Sequence, residues 1–352
     1  MEQALYSNFD EINLSALPQQ SFNSNILKSL NGPLMISWDV TNRCNLKCLH
    51  CFNNSAEGSV HNFCDELSED EAMEVVNQII DLRPYTMCIC GGETLLRKDL
   101  IKIISKLSKA NIIVNMVTNG YFLDEKKANE LYNAGVSFVQ VSLDGLRAED
   151  HDRFRNKQGS FEKALNALTL LKNAGVKTAA SFVPNKFAIN DFEEYVDFVF
   201  NAGCKHIRMM PLLPMGRGLN NFHELEPTKE EYFKFCVSIQ KKRSQYSSRG
   251  MIIEWGDPLE HIYLALEYKR ATPIQMEIRA NGDLGVSIYL PIVVGNIRKA
   301  TLKDYWDGGY NRIWDHDAVK KIAKKIRTLY DFKEMQLKTW TDQHFSIDIL
   351  NL

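Results

Sequence analysis

Apolar and polar residues alternate along this chain in two rhythms. Short, mostly apolar runs fall at 34–39, 86–90, 112–117, 136–143, 176–183 and 206–212, a pattern that suits buried strands. Between them the period lengthens to that of a helix. SEDEAMEVVNQIIDL opens with Ser68 as N-cap and Glu71 three residues on, a capping box. Its apolar residues Ala72, Val75, Val76, Ile79 and Ile80 keep helical spacing. Ser160 is the expected cap of FEKALNALTLLKNAG, and Asn190 with Glu193 and Thr228 with Glu231 repeat the box. Three helix ends share the phrase Asn-Ala-Gly, and Gly135, Gly175 and Gly203 each suit a left-handed cap before the next strand.

Six such βα units with short turns predict an α/β fold, a partial (β/α)6 TIM-type barrel. The chain divides into a polar N-terminal segment at 1–33, the barrel at 34–220, and a linker helix (228–243) with a small α+β extension within 221–310. A C-terminal helix (about 316–330) and an aromatic-bearing tail with Trp340 and Phe345 fill 311–352. The tail is placed to cap the open side of the barrel.

Composition narrows the class. With 352 residues, one barrel and a smaller appendage are expected, and a 45% hydrophobic content supplies the core. A net charge of −2 with scattered Lys and Arg argues against a nucleic-acid partner; KKIAKKIR at 320–327 reads as a solvated helix face. No apolar run reaches membrane-spanning length, and the polar start reads as no signal peptide. Eight cysteines, three of them clustered, fit a reducing cytoplasm better than a disulfide framework.

The chemistry concentrates in Cys44, Cys48 and Cys51, a C-x3-C-x2-C run just after the first expected strand. Thiolates are soft ligands for iron–sulfur clusters or zinc. Closed structural zinc sites use four ligands, so a triplet points to a cluster with one open iron. The plain alternative is three unrelated core cysteines. Gly91, Gly92 and Glu93 end the second expected strand, where glycines allow close backbone approach and a carboxylate can accept a bond. The third ends in Thr118-Asn119-Gly120 and the fourth in Ser142-Leu143-Asp144-Gly145, followed by HDRFRNKQGSF. Asn-Gly and Asp-Gly are also ordinary turn dipeptides.

Together these motifs resemble the radical S-adenosylmethionine (SAM) superfamily over roughly residues 33–220, with weaker likeness to about 307. The resemblance implies the same barrel, one 4Fe–4S cluster on Cys44, Cys48 and Cys51, and S-adenosyl-L-methionine chelating the open iron. It also implies cleavage to a 5'-deoxyadenosyl radical that abstracts hydrogen, with a reducing partner such as flavodoxin or ferredoxin. By the same resemblance Gly91, Gly92 and Glu93 hold the SAM amino group. Thr118, Asn119, Ser142, Asp144, Arg155, Asn185 and Leu212 are further cofactor contacts: Ser142 and Asp144 to the ribose, Arg155 to the carboxylate. Leu212 and Leu213 lie on the adenine side, Arg217 toward substrate, and Phe52 packs over cluster or adenine. Cys90 and Thr94 depart from the residues common in the family, Thr and Pro; Cys88 and Cys90 read as buried thiols.

The stretch IQMEIRANGDLGVSIYLPIVVGNIRKATLKDYWD resembles the SPASM or twitch extension of peptide- and cofactor-modifying relatives, which carries auxiliary clusters. Here Asn281-Gly282 supplies the hairpin turn, but Ser287 stands about where a cluster cysteine would fall, and no cysteine follows Cys236. Residues 250–310 therefore read as a degenerate extension without metals. A substrate radical must then end another way. A thiol, Cys204 or Cys236, is a candidate hydrogen donor, though each reads first as core. Return of the electron to the single cluster is favoured, since neither cysteine ends a strand. The expected substrate is a peptide or amino-acid derivative, giving a crosslink, desaturation or epimerisation. Rival readings are a small-molecule substrate (sugar, aminocyclitol or cofactor precursor) and a non-catalytic iron–sulfur module.

Overall fold

A computed structural model of the chain describes residues 30–56, 65–267, 275–334 and 345–351. The expectations for residues 1–29 and Trp340 lie outside those residues. Strand β1 (Met35–Thr41) starts the barrel. Then come α1 (Glu69–Leu82), β2 (Thr86–Gly91), α2 (Leu100–Lys109), β3 (Ile113–Thr118), α3 (Glu125–Ala134) and β4 (Phe138–Ser142). A short α4 (Ala148–Arg155) and α5 (Ser160–Asn173) lead to β5 (Thr178–Phe182), α6 (Phe192–Asn201) and β6 (His206–Met209). All six expected strands form, and adjacent ones pair in parallel in chain order. Between them the helices cover one face, where Ile36, Trp38, Val40, Met87, Ile89, Val114 and Met116 are fully buried.

The second half departs from the expectation. After α7 (Arg217–Leu225) and α8 (Lys229–Tyr246), a seventh parallel strand, β7 (Ile252–Trp255), joins β6. It lies in the stretch read as extension; only four residues long, it is too short for a periodic signal. Beyond α9 (Pro258–Glu267), strands β8 (Gln275–Ile278), β9 (Asp283–Ser287) and β10 (Leu290–Asn296) form an antiparallel meander. Strand β8 pairs in parallel with β1, so barrel and extension share one sheet. Next come α10 (Leu302–Asp307), α11 (Asp317–Ala323) and α12 (Leu329–Glu334). The single helix expected over 316–330 is thus two short helices, the second capped by Asp331 accepting from Thr328 N. Strand β11 (Phe345–Ser346) adds to the β10 edge, leaving Phe345 exposed; the tail extends the sheet there.

Local signals mostly hold. The Ser68–Glu71 and Thr228–Glu231 boxes form, and Gly135, Gly175 and Gly203 adopt positive φ. Two caps differ. Gly159, not Ser160, precedes α5, and Asp152 supplies the cap by accepting from Gly159 N, Ser160 Oγ and Phe161 N. Asn190 donates to Glu231, while Glu193 pairs with Lys241, so that box does not form. In both places a partner on another helix won over the local one. Among the described residues no helix is long and apolar enough to cross a membrane.

Arg298 fastens the extension to the barrel. It reaches Glu71 with Nε at 2.6 Å and Nη2 at 3.0 Å, and donates to the carbonyls of Asp65 and Asn281. That bond, with the Ser68 amide, holds the Glu71 carboxyl down at about 2. Both side chains keep solvent contact, so the pair is discounted to about 1 kcal/mol. Arg298→Ala should lower unfolding free energy by about that amount. The contribution exists above the unfolded Glu pKa of about 4.3 and fades as pH falls toward 2. Chemical denaturation at neutral and acid pH checks it: a loss that persists undiminished well below pH 2 would contradict the assignment.

Candidate active site

The cysteine loop leaves β1 at Thr41 and has no regular structure of its own; other elements hold it. The end of β2 lies flush against it: Gly92 N donates to Thr41 O at 2.7 Å and Glu93 N to Arg43 O at 2.8 Å. A Cβ on Gly91 would stand 2.3 Å from Thr41 O, and one on Gly92 2.1 Å from Arg43 O. These glycines are thus needed first for contact between two backbone segments. On the opposite side, Arg217 N donates to Cys51 O, and its Nε and Nη1 reach Cys48 O and Asn54 Oδ1, each at 2.9 Å. A Cβ on Gly216 would meet the carbonyls of Cys51 and Phe52 at 2.5 Å. Arg217, expected to face substrate, instead pins the loop. The ring of His50 stacks on Phe154 with centroids 3.8 Å apart, and Leu49 N donates to Phe154 O.

Cys48 is buried, and Cys44 and Cys51 are half-buried. Burial, with mutual repulsion from the other thiols and Glu93, pushes the Cys44 thiol up to about 12; burial raises Cys48 too. Bare thiolates are therefore costly here, and bonding to cationic iron relieves that cost. Among the described residues no His, Cys, Asp or Glu group is drawn close enough to ligate a single ion. Three soft thiolates on one loop are the donor chemistry that an iron–sulfur cluster takes. Two donors face the sulfurs: Arg155 Nη1 lies 3.8 Å from Cys48 Sγ, and Asn119 Nδ2 lies 3.9 Å from Cys44 Sγ.

Both donors are held by buried carboxylates. Glu93, fully buried, accepts from Thr118 Oγ1 at 2.6 Å, Asn119 N at 2.7 Å and Leu95 N at 3.1 Å. Burial nevertheless lifts its carboxyl above the usual range. Asp144, also fully buried, accepts from Arg155 Nε at 2.6 Å and Val183 N at 2.8 Å. Burial alone would push Asp144 up, but Arg155, His50 and His151 outweigh it and hold it below the usual range. Arg155 is held above its ordinary value against its own burial, chiefly by Asp144 and Cys48.

The other expected residues divide. Ser142 is buried beside Ser181 of β5, and its hydroxyl has no hydrogen-bond partner among the described residues. Asn185 is spent locally, donating to Val183 O and accepting from Phe187 N. Leu212 packs with Phe154, Val183, Phe222 and Leu225. Thr94 closes the turn after Glu93 by donating to Val117 O at 2.8 Å. Cys204 and Cys236 lie away from the loop, and Cys236, read as core, is exposed. Sequence reasoning missed Asn45, which accepts from Asn119, and Glu66, which accepts from Thr41 and Asn42 N. Neither carries a motif signal, being fixed only by contacts distant in sequence.

Residues 38–199 match the family model of the radical SAM superfamily. The chain is 24% identical over 313 residues to an AdoMet-dependent heme synthase of Methanosarcina barkeri, covering 82% of this chain and 87% of that protein. It is 27% identical over 304 residues to the mycofactocin maturase MftC of Mycolicibacterium smegmatis, covering 82% and 72%. Its fold matches Streptococcus suis SuiB solved with its precursor peptide SuiA, at TM-score 0.66 and 17% identity over 86% of this chain and 69% of that one.

The ion pair beneath Cys48 yields a direct test. Asp144→Asn keeps the shape and leaves Arg155 buried without its counter-charge. Removing one partner of a buried pair costs about 3–5 kcal/mol. Denaturant unfolding should show that loss, and a change within measurement error would mean the pair does not hold Arg155.

Proposed function

We propose that the chain is a radical SAM enzyme that abstracts hydrogen from a peptide substrate, with one 4Fe–4S cluster on Cys44, Cys48 and Cys51. When bound, the cluster and SAM supply a carbon-centred radical that takes the hydrogen atom. The observation behind this reading is the pinned cysteine loop at the carboxyl ends of parallel strands, with Arg155 and Asn119 facing its sulfurs. Those donors offset negative charge gathered on the thiolates. Glu93 fixes Asn119 and Thr118; of about four acceptor positions on a carboxylate, three are filled, leaving one for an ammonium. Ser142 offers its hydroxyl to the ribose. Asp144 positions Arg155, its Oδ2 taken by the guanidinium and its Oδ1 by Val183 N.

A peptide is favoured because the sheet order among the described residues runs open from β11 to β7. An open edge admits an extended chain, and a fold relative was solved with its precursor peptide. A small-molecule substrate is the second reading, supported by the likeness to the heme synthase.

The reconstituted protein should hold about four irons and, once reduced, release 5'-deoxyadenosine from SAM. Cys48→Ala should abolish both, since two thiolates cannot hold three corners of the cluster. Full cleavage by that variant would refute the assignment. Glu93→Gln should keep the iron but bind SAM about ten- to a hundredfold more weakly, the loss of a charge-assisted bond. Wild-type SAM affinity would remove Glu93 from the site. Stimulation of 5'-deoxyadenosine release by a carboxylated tetrapyrrole, and by no peptide, would select the second reading.

A further inference from the structure

The ladder between β8, β1 and β2 sets side chains in rows beneath the Gly-Gly-Glu turn. Glu277 is paired with Ser37 and Ser37 with Cys88; one row up, Asp39 is paired with Cys90, and the next pairing is Thr41 with Gly91. Successive strand residues face opposite sides of the sheet. Ile36, Trp38, Val40, Met87 and Ile89 are fully buried on the helix-covered face. Ser37, Asp39, Cys88, Cys90 and Glu277 therefore face the barrel interior. Arg279 follows Ile278 at the end of the β8–β1 pairing, and its charge acts on both Asp39 and Glu277.

Cys90 is the last side chain of β2 before Gly91, and Ser37 Oγ lies 3.3 Å from its sulfur. Both Cys88 and Cys90 are only half-buried, though β2 is an inner strand covered by helices on its other face. Their exposed surface can open only into the barrel, so these thiols line a space rather than fill a core. Cys204 is buried before β6 with Sγ 3.4 Å from the carbonyls of Thr178 and His206, and Cys236 is exposed on α8. Among the described cysteines outside the triplet, Cys88 and Cys90 alone face the interior, and Cys90 is nearer the strand ends.

We propose that this walled array of Glu277, Ser37, Asp39, Arg279 and Cys88 holds substrate beside Cys90, and that Cys90 is a catalytic hydrogen-atom donor to the substrate radical. The proposal rests on the radical SAM reading above. A thiol S–H bond is weaker than an alkyl C–H bond, so transfer to carbon is downhill; the stronger O–H of Ser37 cannot substitute. The sequence favoured return of the electron to the cluster only because neither Cys204 nor Cys236 ends a strand. Cys90 does.

The atoms and electrons balance. Abstraction breaks a substrate C–H bond and forms 5'-deoxyadenosine. Cys90 then gives its hydrogen atom to the carbon radical, forming a new C–H bond and a thiyl radical. One electron from the low-potential one-electron carrier that also drives SAM cleavage, with one proton from solvent by way of Ser37 or Asp39, restores the thiol. The substrate is neither oxidised nor reduced overall, which makes the reaction class inversion at a C–H stereocentre.

The test needs no identified substrate. Cluster-loaded protein is reduced with titanium(III) citrate and given SAM in deuterium oxide, with no added thiol. Cys90 then carries deuterium, and wild-type 5'-deoxyadenosine should gain one deuterium. Cys90→Ala should lower that labelled fraction several-fold at unchanged iron content, while Cys236→Ala, altering the exposed thiol on α8, keeps it. An equal fraction in Cys90→Ala overturns the proposal; absence of any 5'-deoxyadenosine from wild type overturns the underlying reading instead. A second readout needs no turnover. Iodoacetamide labelling of the unreduced, cluster-loaded protein, mapped by mass spectrometry, should be slowed several-fold by SAM at Cys90 and unchanged at Cys236. Labelling of Cys90 that ignores SAM would overturn its place beside the site, whatever the variants show.

Discussion

A loop without secondary structure must carry three thiolates in fixed positions, and the rest of the site follows from that constraint. Such a loop cannot satisfy or orient itself through its own ladder of hydrogen bonds. The fold gives it partners on two sides. The end of β2 closes on it through Gly92 and Glu93, and the α7 entry closes on it through Gly216 and Arg217. Both contacts are backbone against backbone, with room for no Cβ. Gly91 and Gly92 thus serve a geometric need before any ligand is considered. The same reasoning moves Arg217 from substrate to scaffold, since its guanidinium is spent on Cys48 O and Asn54.

Charge completes what geometry starts. Burying an arginine or a carboxylate is costly unless each is paired and hydrogen-bonded. Asp144 and Arg155 meet that condition together, and the pairing leaves one guanidinium nitrogen facing Cys48. Glu93 meets it with neutral donors instead, and one of those donors belongs to Asn119, whose amide faces Cys44. Two buried anions thereby aim two donors at two sulfurs. The carboxylates read in the sequence as ligand contacts also orient, in the structure, the two donors that face the sulfurs.

Strands, helices and motif residues were legible because each leaves a local trace: an apolar run, a capping box, a glycine before a strand. What stayed hidden was fixed by distance in the chain. Strand β7 is too short to show a period and exists because β6 offers an edge. Asp152 displaced Ser160 as a cap because two helices happen to abut. Cys88 and Cys90 could be placed on one face from spacing alone, but not assigned between core and interior. Both faces of an inner parallel strand can be apolar, and only the pairing with β1 shows that the second is lined by Ser37 and Asp39.

The extension keeps its shape through hydrogen bonds, with no cysteine after Cys236. Its Asn-Gly turn is closed by Asn296, whose amide donates to Asn281 O and Asp283 Oδ1. Gly295 gives the Tyr305 ring room, since a Cβ would stand 2.1 Å from it, and the Tyr305 hydroxyl bonds the Asn296 backbone. Ser287 uses its hydroxyl to accept from Tyr289 N, closing the tip of the meander. Hydrogen bonds of this kind each contribute about 1 kcal/mol, far below a metal site, but β8 also pairs with β1 and Arg298 with Glu71. Joined to the barrel sheet, the extension need not be stable alone. It is then free to present Glu277 and Arg279 to the barrel interior.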